Sequence, residues 1–169
     1  HQGQIDKAEI QELANVAKQG KEQAKAQLIM QLHPKIYRYV YYRVNNREDV
    51  EDLTNDIFVN MLGSLEKQKG HFLAWIYRIA SNRITDYYRK KSVRKETTPV
   101  GDTIEFYPGD NSRIEQQFVQ EELQKGIRQL TEEQQEVVLL RFVEGYQANE
   151  VAEIMDKTPE AVRALQFRA

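Results

Sequence analysis

Apolar residues along this chain return every third or fourth position and almost nowhere every second, which commits the sequence to helices. The periodicity runs from about Lys7 to Lys18, through the aromatic stretch IYRYVYYRV (36–44), over 48–65 and 71–91, and from about residue 113 onward. Its fullest form is FLAWIYRIASNRITDYYRKK (72–91), where Leu73, Ile76, Ala80, Ile84 and Tyr87 make one buried helical stripe. A second stripe, Trp75, Ile79, Asn82, Asp86 and Arg89, runs beside it with the same spacing, and core packing does not account for it.

Between the helical stretches, SVRKETTPVGDTIEFYPGDNS (92–112) gathers Pro99, Gly101, Pro108, Gly109, Asp110 and Asn111, the residues of turns and linkers. The fold expected is all-α, with two small helical domains, 1–92 and 113–169, joined by a flexible linker over 93–112. The second domain is clearly punctuated. Thr131-Glu132-Glu133-Gln134 has the form of a capping box, opening a helix that runs to about Val143. Gly145 can supply a left-handed end to that helix. A short helix, Ala148 to Met155, would turn Val151, Ala152 and Met155 inward. Asp156-Lys157 then turns the chain, and Thr158 caps a last helix with Pro159 at its first position. Short helix, tight turn and capped helix together make a helix-turn-helix pattern.

The net charge of −2 argues against a simple polyanion binder, but the charge is distributed in blocks. Residues 67–95 hold nine bases against Asp86 alone, a local +8. Residues 47–56 sum to −4 and residues 105–136 to −5. Separated blocks suggest separate partners, a polyanion for the basic one and a basic protein surface for an acidic one. Zero cysteines exclude disulfides and thiolate metal sites, which fits a cytoplasmic protein. No apolar run approaches the ~18 residues of a membrane span, so no membrane insertion is expected. No signal peptide is legible either, and the opening HQG reads as a remnant of expression.

Taken in order, three segments resemble a bacterial RNA polymerase sigma factor of the extracytoplasmic-function (ECF) group of the sigma-70 family. EDVEDLTNDIFVNM (48–61) is similar to the group's polymerase-docking signature. FLAWIYRIASNRITDYYRK is similar to the helix that handles the minus-ten promoter element, preceded by LEKQKG (65–70), which resembles the loop that captures an unstacked base. LTEEQQEVVLLRFVEGYQANEVAEIMDKTPEAVRALQFRA (130–169) resembles the domain that reads the minus-thirty-five element. The resemblance implies a region 2 domain over 1–92, a region 4 domain over 113–169, and a transcription initiation factor that is not an enzyme. Its partners would be core RNA polymerase, promoter DNA and an anti-sigma factor; no cofactor and no metal are expected.

Residue chemistry fits that assignment. Asp49, Asp52 and Asp56 recur at steps of three and four with Asn55 at their edge, a carboxylate face suited to a cationic docking surface. The ordinary alternative is charge placed to suit the helix N-terminus. Lys67, Lys69, Asn82, Arg83, Arg89 and Lys90 are the candidates for minus-ten DNA: cations meet phosphates, and Asn82 can make two hydrogen bonds to a base edge. Trp75 and Tyr87 read as core, and Asp86 as an acid that orients neighbouring bases. For the minus-thirty-five element the candidates are Thr158, Glu160, Arg163, Phe167 and Arg168, with Val162, Leu165 and Ala169 facing inward. An enzymatic reading fails because His1, His33 and His71 never fall three residues after a Glu, and no phosphate loop, nucleophile elbow or HExxH is present. An ordinary helix-turn-helix regulator of duplex operators would explain 131–169 and leave the acidic and aromatic-basic helices without a task.

Overall fold

The aromatic run 36–44 is the end of a much longer element, a 22-residue helix Glu22–Arg43 with Pro34 inside it. Proline removes one backbone hydrogen bond there. The helix continues because Ala24, Leu28 and Leu32 before the proline, and Ile36 and Val40 after it, bury one unbroken face. The computed structural model describes residues 7–94 and 111–169. The linker expectation over 93–112 falls almost wholly outside them.

The first domain comprises α1 (Lys7–Lys18), α2 (Glu22–Arg43), α3 (Arg47–Ser64) and α4 (Phe72–Arg94). Asn46 caps α3, its side-chain oxygen accepting from the Asp49 amide at 3.1 Å. A tight 3₁₀ turn, Leu65–Lys67, follows α3. In the loop to α4, the buried Gln68 amide donates to the Lys69 and Gly70 carbonyls at 2.9 and 3.0 Å, and Gly70 takes the left-handed conformation. The Phe72 amide at the start of α4 donates to the Gln11 side chain at 3.0 Å, so α1 caps α4. Ile10, Leu28, Leu32, Ile36, Val50, Ile57, Met61, Ile76, Ala80 and Ile84 are completely buried between these four helices. Of the stripe expected for 72–91, Leu73 and Tyr87 sit at the margin of that core, half-buried.

The second domain holds α5 (Asn111–Arg128), α6 (Glu132–Val138), α7 (Ala148–Met155) and α8 (Pro159–Arg168). The capping box forms: the Gln134 amide donates to Thr131 Oγ1 at 3.2 Å and the Thr131 amide to Gln134 Oε1 at 3.1 Å. α6 then widens into a π-turn over Leu139–Val143, closed by the Glu144 amide donating to the Leu139 carbonyl at 2.8 Å. Gly145 and Asp156 are left-handed, ending the π-turn and α7 respectively. Thr158 accepts from the Ala161 amide at 3.1 Å, with Pro159 first in α8. Val137, Leu139, Leu140, Val151 and Val162 are fully buried. Ala169 does not face inward as expected. α8 ends at Arg168, and Ala169 is its exposed cap residue. Among the described residues all regular structure is helical, and no helix is long and apolar enough to cross a membrane.

The two domains are packed against each other. α5 lies on α2 and α7 on α4. Gln124 of α5, itself buried, donates to the carbonyls of Tyr41 and Val44 at 2.6 and 3.2 Å, closing the exposed end of α2.

Candidate polymerase and DNA interfaces

Helix α3 buries Val50, Leu53, Thr54, Ile57, Phe58 and Met61, which turns Asp52, Asn55 and Asp56 to solvent on the opposite face. None of these three has a hydrogen-bond or ion-pair partner among the described residues. Val59, 69% exposed, and Leu62 continue the stripe, so the face offers carboxylates beside bare apolar surface. That mixture suits a protein partner. Asp49 departs from the set. It is half-buried, and its Oδ2 accepts from the Tyr87 hydroxyl of α4 at 2.5 Å. Burial, together with that bond, pushes the Tyr87 hydroxyl well above the usual phenol range, so it stays a donor. Asp49 therefore joins α3 to α4 and is not a free docking carboxylate.

Lys67 and Lys69 stand exposed on the loop before α4, and Asn82, Arg89 and Lys90 are exposed along the helix. Arg83 is half-buried. With Asn60 presenting its side-chain oxygen, Arg83 Nε and Nη2 lie 3.0 and 3.2 Å from it. This steadies the guanidinium and leaves it only partly available. Asp86 pairs with Arg89 at 3.5 Å, orienting a neighbouring base. Trp75 is half-buried and tilted against Phe72, ring centroids 5.7 Å apart, in keeping with a core role.

On α8, Thr158, Glu160, Arg163, Phe167 and Arg168 all project into solvent, with Phe167 92% exposed, while Val162 is buried and Leu165 half-buried beneath. Arg141 of the π-turn was not legible as a site residue. It donates to the Tyr146 carbonyl at 2.8 Å and to Gln166 at 3.1 Å, fixing α8 against the turn.

A third face of α4 belongs to neither stripe. Tyr77 is fully buried edge-on against Tyr146, with ring centroids 5.4 Å apart. Arg78 donates to the Glu153 and Ile154 carbonyls at the end of α7, at 2.6 and 3.4 Å. Ser81 donates to Glu136. Around these contacts run ion pairs, Lys7 with Glu150 at 2.8 Å, Arg38 with Glu144 at 2.9 Å and Arg43 with Glu136 at 3.2 Å, and a hydrogen bond between His71 Nδ1 and Glu153 at 2.7 Å. The bond to Glu144 holds the Arg38 guanidinium above its ordinary range, while burial pushes the neighbouring Lys35 ammonium down. A cavity of about 400 Å³ opens along this seam between Lys7, His71, Leu73, Tyr146, Glu150 and Glu153. The sequence signal for the seam was faint: Tyr77 and Ser81, four residues apart, lie outside both stripes of α4. Among the described residues no cluster of three or more His, Cys, Asp or Glu could hold a metal ion.

Comparison with known proteins bears on these faces. Residues 28–94 match the family model for Sigma-70 region 2, and residues 120–169 that for Sigma-70, region 4. The chain is 33% identical over 169 residues to the ECF RNA polymerase sigma factor BldN of Streptomyces coelicolor, covering 97% of this chain and 64% of BldN. It is 30% identical to the ECF RNA polymerase sigma factor ShbA of Streptomyces griseus, covering 93% of this chain and 89% of ShbA. In fold it resembles the sigma factor RpoE of Bartonella quintana in its complex with the anti-sigma factor NepR. The TM-score there is 0.69 at 16% identity, over 85% of this chain and 89% of RpoE. α3 and α4 lie inside the region 2 match and α8 inside the region 4 match, so this chain belongs to the ECF sigma factors of the sigma-70 family.

Proposed function

We propose that the chain docks on core RNA polymerase through Asp52, Asn55 and Asp56 of α3. It reads the minus-ten element with Lys67, Lys69, Asn82, Arg89 and Lys90, assisted by Arg83. It reads the minus-thirty-five element with Thr158, Glu160, Arg163, Phe167 and Arg168 of α8. The observation that carries this assignment is the sorting of side chains on α3, α4 and α8. Each helix commits its apolar face to a core and turns the assigned residues outward, Arg83 excepted, with Asp52, Asn55, Asp56, Asn82, Lys90, Glu160, Arg163 and Arg168 making no side-chain hydrogen bond or ion pair among the described residues. The region 2 unit would extend from 1 to about 94, two residues beyond the boundary expected from sequence, and the region 4 unit from about 111 to 169. The reading places the protein in the cytoplasm, where polymerase is, and gives it an anti-sigma factor as a further partner. It acts as an initiation factor without catalysis of its own. The test is reconstitution with core polymerase: the chain should co-purify with core and support initiation from a promoter that core alone does not use. Failure to associate with core would overturn the reading, and tight selective duplex binding by the free chain would favour an ordinary regulator.

A further inference from the structure

Asn60 of α3 stands between Val59, 69% exposed on the docking stripe, and Met61, which is fully buried. Its backbone is therefore fixed in the first domain, and its side chain reaches across to Arg83 of α4. Arg83 Nε and Nη2 are both donors, so the Asn60 atom facing them at 3.0 and 3.2 Å is the carbonyl oxygen and not the amide nitrogen. We propose that Asn60 is a positioning residue for promoter contact. It holds Arg83 so that the rest of the guanidinium grips a backbone phosphate beside the base assigned to Asn82.

The donor count decides what Arg83 can still do. A guanidinium carries five N–H groups, one on Nε and two on each Nη. Asn60 takes the Nε–H and one Nη2–H, the whole side edge. The end fork is left, with one N–H from each Nη lying parallel, a match for two oxygens of one phosphate. The holder is also neutral. Arg38 and Arg43 are held by the carboxylates of Glu144 and Glu136, which offset their charge toward any other anion. An amide oxygen orients Arg83 without offsetting it, and the acid one turn on, Asp86, pairs with Arg89 instead. The charge of Arg83 stays available to a phosphate.

Phosphate contacts fix register and base contacts carry sequence. Asn82, exposed, and Arg83, half-buried, are adjacent on α4 and are followed by the fully buried Ile84. A phosphate seated on Arg83 would hold its nucleotide at a set distance from the Asn82 amide. A loose arginine would lose rotamer freedom to reach that pose, whereas one already held has lost it on folding. Resting on the minus-ten reading above, this role belongs to α3, outside the helix that meets the DNA.

Binding of the chain–core complex to minus-ten promoter DNA across salt concentrations tests the role. Arg83→Gln removes a phosphate contact and should lower the salt slope by about 0.7–0.9. Asn60→Leu keeps the Arg83 charge but frees it, so the slope should stay near wild type while affinity falls about three- to tenfold. Discrimination at the base assigned to Asn82 should relax with it, and Asn60→Asp, which keeps an oxygen acceptor, should restore that discrimination. In an Arg83→Lys background, where no second edge exists to hold, Asn60→Leu should be silent. If Asn60→Leu unfolds, Asn60→Ala reads the same loss without added bulk. Wild-type affinity and discrimination in the folded variant, or an equal loss in the Arg83→Lys background, would overturn the positioning role. So would an Arg83→Gln variant with an unchanged slope. Loss of binding in neither Arg83→Gln nor Asn82→Ala removes the minus-ten reading itself, whereas a loss in both with Asn60→Leu silent sinks the positioning role alone.

Discussion

Asp49 separates a docking carboxylate from a structural one, and the difference is measurable. In Asp49→Asn the Tyr87 hydroxyl loses an anionic acceptor at 2.5 Å. Hydrogen bonds to charged groups contribute about 1.5–3 kcal/mol net. Asp49 is half-buried and sheds part of its solvation to make the bond, so the contribution falls at or just below the bottom of that range, about 1–1.5 kcal/mol. The substitution also removes an acid from the first turn of α3, worth about 0.3–1 kcal/mol against the helix dipole. The sum of about 1.3–2.5 kcal/mol corresponds to a fall in Tm of about 3–10 °C for a chain of this size. Tyr87→Phe loses the bond alone and should fall about two-thirds as far. The double variant should be less destabilised than the two singles added, because both remove one interaction. Thermal melting by circular dichroism reads stability, and competition against labelled wild type reads core affinity, which should stay within about twofold of wild type in Asp49→Asn, since a structural role leaves the docking stripe intact. Unchanged melting with core affinity lost as fully as in Asp56→Lys would refute the clamp and return Asp49 to the docking face.

Asp52→Lys and Asp56→Lys should each weaken core binding by about tenfold or more, as charge reversal on a complementary interface does, with helicity and Tm nearly unchanged. Asn82→Ala should relax minus-ten discrimination by about 1–3 kcal/mol, whereas Lys90→Ala should weaken all promoters alike and flatten the salt dependence; transcription across minus-ten variants at two salt concentrations distinguishes the two. Thr158→Ala removes the cap of α8 and should cost about 1 kcal/mol of stability, seen in chemical denaturation, together with weaker minus-thirty-five binding. Burial pushes the Glu150 carboxyl up, but the Gln147 amide and the Lys7 ammonium outweigh it and hold it below its ordinary value. A carboxyl with a depressed folded-state pKa adds stability that is full above its unfolded pKa and fades as pH falls through the folded one. Tm measured from neutral pH down through the carboxylate range should therefore drop more steeply in wild type than in Lys7→Ala.

Local signals carried most of the legible fold. The capping box at Thr131, the Gly145 and Asp156 turns and the Thr158-Pro159 start of α8 are written in adjacent residues, and each forms where its residues stand. The first half of α2 was less legible because its buried positions, Ala24, Leu28 and Leu32, make a thin stripe among polar residues and end at Pro34. Packing, which periodicity reports only weakly, holds it helical. The outward residues of α8 and three of the four on α3 follow from helical phase alone. Asp49 does not, because what removes it from the docking face is a tyrosine 38 positions away. The same holds for Glu144: nothing in VVLLRFVEG marks a π-turn, and only Arg38 and Tyr77 on the other domain explain why a glutamate sits there buried.

Helix α4 ties these observations together, since its faces serve three surfaces within six turns. Ile76, Ala80 and Ile84 face the core, Asn82 and Lys90 face solvent, and Tyr77, Arg78 and Ser81 face the second domain. Ser81 and Asn82 are adjacent, so the residue assigned to read a base stands next to one whose hydroxyl donates to Glu136. The carboxylates of Glu136 and Glu153 lie along the flank of α4 and oppose its cations. On the proposed reading, a duplex approaching Asn82 and Lys90 would meet a weakened positive field. Core polymerase, by holding α3 on one surface and the second domain on another, would fix the spacing of the two DNA-reading surfaces. Affinity and selectivity would then arrive together, on assembly with core and not before it.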